Sequence, residues 1–145
     1  MADNCLNGKI SIFEVEINDK QINWSKDYRS GYIWKAGKYF KDYIQVNLSD
    51  NSDVKFPREL SRSHHILKVS QAYAISKDEK YAKYVVSQLD DWINSNPYMQ
   101  SINWGCAMDV SIRAVNWIVA LSLIRDSEEL KRSDLVMKII MSFIK

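Results

Sequence analysis

The segment from about Trp104 to Arg125 constrains the fold more than any other part of the chain. Cys106, Val110, Ile112, Ala114, Val115, Trp117, Ile118, Val119 and Leu121 surround a helical wheel with apolar side chains. A helix that is apolar on most faces has to be covered on most faces, so this segment predicts a core helix flanked by others. Three polar residues interrupt it. Asp109, Arg113 and Asn116 stand at i, i+4 and i+7 and fall within about 60° of one another at 3.6 residues per turn, making one polar stripe. An Asp four residues before an Arg can pair with it along the helix, and a partly buried guanidinium can take a carboxylate or sulfate through two parallel hydrogen bonds. The stripe therefore has two readings: a satisfied internal network tying the helix to its neighbours, or a cleft wall that meets a polar, anionic ligand.

The chain around it supplies the flanking helices. Pro57 suits a first helical position, and Leu60, Leu67, Ser70, Gln71 and Ala74 carry one face of a helix to about Ile75. Asp78 is a good cap for the next helix, which repeats Tyr81, Val85, Leu89, Trp92 and Ile93 until Asn96-Pro97 stops it. A fourth helix is expected from about Asp134 to Phe143. Short connections between these segments predict stacked antiparallel helical hairpins over residues 57–145. Only four Gly and two Pro in 145 residues argue against a turn-rich all-β fold.

Residues 1–56 read differently. Ile10 and Ile12, then Phe13, Val15 and Ile17, alternate in two runs offset by one residue, the pattern of a strand with a bulge or a change of face. Asn18, Asp19 and Lys20 predict a turn, and Gln21 to Trp24 a returning strand. From Ser25 to Phe56 no period is sustained, which predicts a packed, irregular lead-in. Its aromatics Trp24, Tyr28, Tyr32 and Trp34 are expected as core before they are expected as stacking platforms for sugar rings, because buried Trp and Tyr supply the largest apolar areas.

Charge and motifs exclude several function classes. Twenty Lys and Arg against eighteen Asp and Glu leave a net charge of +2, scattered rather than gathered into the basic stripe that a nucleic-acid partner requires. Cys5 and Cys106 make no disulfide framework. The first ten residues lack a basic start and an apolar core, and the longest unbroken apolar run is Trp117 to Leu121, so neither a signal peptide nor a membrane span is expected. That pattern suits a cytoplasmic chain, or a periplasmic or secreted one if a leader precedes Met1. No Gly-rich phosphate loop, GxSxG elbow, CxxC or HExxH occurs, and no cofactor is expected. Adjacent His64 and His65, the only two histidines, point about 100° apart on a helix and are too few to hold a metal. Glu59, Arg62 and His65 follow at steps of three and spread over about 120°, one broad helix face. They read either as a solvated face with a Glu–Arg pair or as a carboxylate, guanidinium and imidazole that bind a sugar acid or move a proton.

Four stretches carry a family resemblance. DVKFPRELSRSHHILKVSQAY (Asp53 to Tyr73), DEKYAKYVVSQLDDWINSNP (Asp78 to Pro97) and INWGCAMDVSIRAVNWI (Ile102 to Ile118), preceded by NWSKDYRSGYIWK (Asn23 to Lys35), resemble in order and spacing the N-terminal helical region of heparinase II/III-like proteins. These are relatives of the alginate lyases, many of them encoded among exopolysaccharide genes. The resemblance runs from about Gly8 to about Ile124. It implies a mainly α fold, an incomplete α/α toroid of helical hairpins behind a short β-hairpin or irregular lead-in, whose inner surface forms a cleft for an anionic, uronic-acid polysaccharide. It further implies β-elimination: a neutralising group acidifies the proton beside the carboxylate, a base removes it and an acid assists the leaving oxygen.

The family uses an Asn or His with a Tyr for those steps. Its Asn-His segment comes after the helix pair where this chain ends, as do the rest of the toroid and the β domain, so the 145 residues are expected to bind without cleaving. By position Glu59, Arg62, His65, Asn103, Trp104, Asp109, Arg113, Asn116 and Trp117 match the motifs, and all but Trp117 are expected to bind substrate. Arg58 stands where the family commonly has Trp, and Ser63 where it has a bulky residue. The competing reading, from another class, is a non-catalytic helical scaffold or carbohydrate-binding module in an exopolysaccharide or capsule pathway.

Overall fold

The alternating runs near the N-terminus do close into a hairpin, but around a different turn. In a computed structural model, which describes residues 2–19, 21–45, 47 and 49–144, β1 (Lys9–Ile12) pairs antiparallel with β2 (Val15–Asn18), with Ile12 opposite Val15. The two-residue loop is Phe13-Glu14, at φ +48° and +66°. Positive φ at both loop positions gives the twist that two right-twisted strands need. Asn and Gly are the residues that normally mark such a loop, so Phe-Glu gave no signal and the turn was expected at Asn18 to Lys20 instead. Asn18 closes β2, Lys20 lies outside the described residues, and Gln21 to Trp24 forms no strand. A short helix, α1 (Ala2–Leu6), precedes the hairpin and buries Cys5.

The lead-in is irregular, as its lack of period predicts. It contains a 3-10 turn (Phe40–Asp42) and a bridge between Lys26 and Ile33. Buried Asp27 organises it: its carboxylate accepts hydrogen bonds from Ser30 Oγ at 2.7 Å, Arg29 N at 2.9 Å and Asp53 N at 3.1 Å. Burial pushes this carboxyl up, and the donated hydrogen bonds outweigh burial and hold it below its ordinary value. Trp24 and Trp34 are core and Tyr28 packs partly buried against it, but Tyr32 stays exposed. Its ring rests edge-on against Trp34 at the surface, a correction to its expected place in the core.

The helix expected from Pro57 to Ile75 is two helices, α2 (Lys55–Ser61) and α3 (His64–Ser76), broken where Ser63 adopts the left-handed conformation at φ +66°. The break rotates the face that is buried. Ile66, Val69, Ser70 and Tyr73 point inward, Leu67 and Ala74 are half-buried and Gln71 is exposed. Then follow α4 (Glu79–Ser95), α5 (Ala107–Leu123), α6 (Glu128–Arg132) and α7 (Leu135–Ile144). Asp78 caps α4 as expected, its side chain accepting from Lys80 N at 3.0 Å. The core sits where α3 packs between α4 and α5, with α6 and α7 against α4. Phe56, Leu60, Ile66, Val85, Leu89 and Trp92 fill it, each worth about 1.5–3 kcal/mol of burial. Among the described residues, no helix is long and apolar enough to cross a membrane.

The expectation that α5 is covered on most faces does not hold. Its polar stripe faces the core, as the internal-network reading has it, whereas Met108 (57% exposed), Val115 and Ile118 (68%) face outward. The apolar circumference is therefore covered on one side only. An open apolar strip also runs along α7, through Val136, Met137 and Ile140.

Two indoles hold the α2–α3 break. Trp117 Nε1 donates to Ser63 Oγ at 3.0 Å, and Trp92 Nε1 donates to Ser61 Oγ at 3.0 Å. Replacing Ser63 by Ala leaves the buried Trp117 N–H without an acceptor and is expected to cost about 1–3 kcal/mol in urea unfolding. Ser63→Gly loses the same bond but relieves the left-handed backbone by about 1 kcal/mol, so it should be the milder of the two. Equal losses would mean that the backbone at Ser63 carries no strain.

Candidate functional site

The break between α2 and α3 swings Arg62 against α5. Arg62 Nε donates to Asp109 Oδ1 at 2.8 Å, and its Nη2 lies 2.8 Å from the same oxygen. Nη1 is ion-paired with Glu59 Oε2. One guanidinium thus serves a buried carboxylate and a partly exposed one, Glu59 being 23% exposed. The pairing expected from spacing, Asp109 with Arg113 along α5, gives way to this long-range one. Asn116 tightens the same joint: its Nδ2 donates to Arg62 O at 2.7 Å and lies 3.2 Å from His64 Nδ1.

Arg113 points into the core instead. Its guanidinium carbon lies 4.1 Å from the centre of the Trp92 ring and 5.1 Å from that of Trp104, and Nη1 donates to Asn103 O at 3.3 Å. Burial pulls its pKa down to about 9, with the Asp109 charge opposing, so it is a cation at neutral pH held against two aromatic faces. Asn103 is fully buried, its Nδ2 donating to Trp24 O and to Asn96 Oδ1, each at 2.8 Å. Trp104 Nε1 donates to Asn96 O at 3.3 Å. Asn103 Oδ1 and Arg113 Nη2 are buried with no hydrogen-bond partner among the described residues.

The face expected to hold Glu59, Arg62 and His65 together does not form, because the break at Ser63 falls between the second and the third. His65 stacks on Trp24 with ring centres 5.9 Å apart and is only 7% exposed. Burial first, then the neighbouring His64 and Lys68 charges, lowers its pKa to about 3, so the ring is neutral. Its Nε2 has no partner among the described residues. Exposed His64 takes the place beside the carboxylate, with Nε2 3.9 Å from Glu59 Oε1.

Glu59, His64 and His65 line a cavity of about 660 Å³ between α3, α1 and the β-hairpin, where Lys9, Phe13 and Lys68 form further walls. Sequence reasoning had passed over His64, Lys9 and Lys68 as binding residues. Lys68 lies four residues after His64 and was findable as a shared helix face, whereas Lys9 is brought in only by the tertiary fold. Among the described residues, no group of three or more His, Cys, Asp or Glu side chains could hold a metal ion.

Compared with known proteins, residues 3–144 match the family model described as heparinase II/III N-terminus. No curated protein and no solved structure matches the chain.

The buried imidazole makes a pH prediction. Below its ordinary pKa of 6.5 the unfolded chain takes up a proton at His65 and the folded chain does not, so stability present above pH 6.5 is lost progressively as pH falls toward about 3. The full loss is on the order of 4 kcal/mol. Urea unfolding of the wild type and of His65→Phe between about pH 7 and pH 4 isolates it, because other groups cancel in the difference. The variant should lose distinctly less stability over that range, and parallel losses would show that His65 does not carry the acid sensitivity.

Proposed function

The chain belongs to the heparinase II/III N-terminal family, and from that premise we propose that it supplies part of the cleft in which an anionic, uronic-acid polysaccharide is bound for β-elimination. In this reading α3 to α7 are the first hairpins of an α/α toroid. The open apolar strips of α5 and α7 support it, since further hairpins packed against them would cover that surface.

The observation that carries the proposal is the shared guanidinium of Arg62. Asp109 pins one edge of it from inside, and among the described residues only Glu59, itself partly exposed, occupies the other. An ion pair near the surface is worth about 1 kcal/mol or less, so a sugar carboxylate can replace Glu59 at small cost and gain a fork already oriented for it. Glu59 and Arg62 are the members of the set that would meet sugar, whereas His65, turned against Trp24, stands away from this wall. Asp109 and Asn116 hold Arg62 and its backbone in place, and Asn103, Trp104 and Arg113 complete the wall behind them. Catalytic proton transfer belongs, by the resemblance, to the family's Asn, His and Tyr, and the role proposed for the residues named here is binding.

Calorimetric titration of the purified chain with a polyuronate, and with dextran as a neutral comparator, tests this. The polyuronate should bind and dextran should not, and Arg62→Gln should weaken binding at least about tenfold, the worth of one charge-assisted hydrogen-bonded pair. Failure of every uronate polymer to bind would favour a helical scaffold without a carbohydrate ligand.

A further inference from the structure

We propose that Glu59 is a built-in occupant of the outward edge of Arg62, and that His64 is a positioning residue that takes Glu59 over when an oxyanion arrives. The inference rests on the reading of Arg62 as the group that meets an anion, and adds to it a control on when that edge is open.

The charge count closes the edge at rest. Arg62 is one cation between two carboxylates, Asp109 and Glu59, so the trio has a net negative formal charge and repels a further anion. The two carboxylates are held differently. Asp109 has its side chain 5% exposed and receives both Nε and Nη2 of Arg62, so parting them would strand a buried charge. Glu59 meets only Nη1, from three residues away on α2, with its side chain 23% exposed. Local, partly hydrated pairs of that kind hold weakly. Among the described residues nothing else but His64 lies within ion-pair reach of the Glu59 carboxylate. Glu59 is therefore the partner that gives way.

His64 is set to receive it. Asn116 Nδ2 donates to Arg62 O at 2.7 Å, which fixes the amide with its NH2 also 3.2 Å from His64 Nδ1. An amide nitrogen only donates, so the neutral imidazole accepts at Nδ1 and carries its hydrogen on Nε2. Nε2 is the nitrogen nearest Glu59, 3.9 Å from Oε1. That gap is too long for a hydrogen bond while Glu59 stays on Arg62, and a shift of about 1 Å closes it. Room for the shift exists, because Glu59 and His64 both line the cavity of about 660 Å³ under the β-hairpin. A residue of α5 thus sets the tautomer of a residue of α3 toward a carboxylate of α2, and no step needs a change of protonation.

The test is a titration of the full chain with sodium sulfate at constant ionic strength, read by NMR at the Arg62 Nε–H and carried well past a Kd of about 10 mM, with a polyuronate in parallel. Sulfate offers a guanidinium the paired oxygens of a carboxylate without the sugar. Glu59→Gln should tighten sulfate binding about fivefold, whereas a Glu59 that helped to grip the ligand would loosen it when replaced. Glu59→Ala should do the same, and guards against Gln taking the Arg62 edge itself. His64→Ala should weaken binding about two- to threefold in the wild type and change nothing in the Glu59→Gln background. Equal weakening in both backgrounds would make His64 merely structural and overturn its role. Unchanged or lower affinity in both Glu59 variants, or no response at Arg62 in any variant, would overturn the control as a whole. A polyuronate that binds through Arg62 with the same affinity in the Glu59 variants removes the control and leaves the cleft. The sulfate pattern without any polymer binding leaves the control and removes the polysaccharide reading.

Discussion

Ser63 sits between α2 and α3 with its backbone left-handed, and a buried indole from α5 donates to its hydroxyl. Most of what is chemically notable in the chain depends on that contact. A continuous helix through residues 57–75 would carry Glu59, Arg62 and His65 on one broad face. The break separates them: Arg62, as the residue that ends α2, turns toward Asp109, and His65 turns into the core against Trp24. The hydroxyl at 63 is also what permits the Trp117 indole to be buried, since a bulky apolar residue there would offer its N–H nothing.

The one-sided burial of α5 follows from the same joint. Burying Asp109 and Arg113 is costly unless each finds compensation, and each finds a different kind. Asp109 receives two nitrogens of Arg62, and Arg113 lies between two indole faces with one backbone carbonyl. Because these groups face α2, α3 and the Trp92–Trp104 pair, the apolar residues on the other side of α5 are left outward. The internal charges therefore select which side of a nearly all-apolar helix meets the core, a decision that hydrophobicity alone leaves open.

These contrasts explain what could and could not be seen in the residues. Helix α4 was legible from end to end, because a capping Asp, a regular apolar repeat and an Asn-Pro stop are all local signals. Of its packing partners, α3 was legible as the other half of a helical hairpin, whereas α6 was not expected at all. The hairpin was legible as alternation but not as a turn, since Phe13-Glu14 adopts a backbone that its residue types do not advertise. The break at Ser63 was hidden because its cause lies 54 residues away, in an indole N–H that must be satisfied. The Asp109 partner was missed likewise: i, i+4 spacing proposes Arg113, and only the tertiary fold offers Arg62. Of the cavity walls, the α3 side could be assembled from helical spacing and the β1 side could not.

Glu59 links Arg62 to the cavity beneath the β-hairpin. It is ion-paired with Arg62, lies near His64 and lines that cavity. Its carboxylate competes with any acidic ligand at Arg62. A ligand that displaces Glu59 from Arg62 frees that carboxylate toward His64 and the cavity, so occupation of Arg62 alters the charge lining the cavity through a single side chain on α2. This coupling requires no backbone motion, because the break at Ser63 already holds Arg62 and His64 on opposite sides of the carboxylate they share.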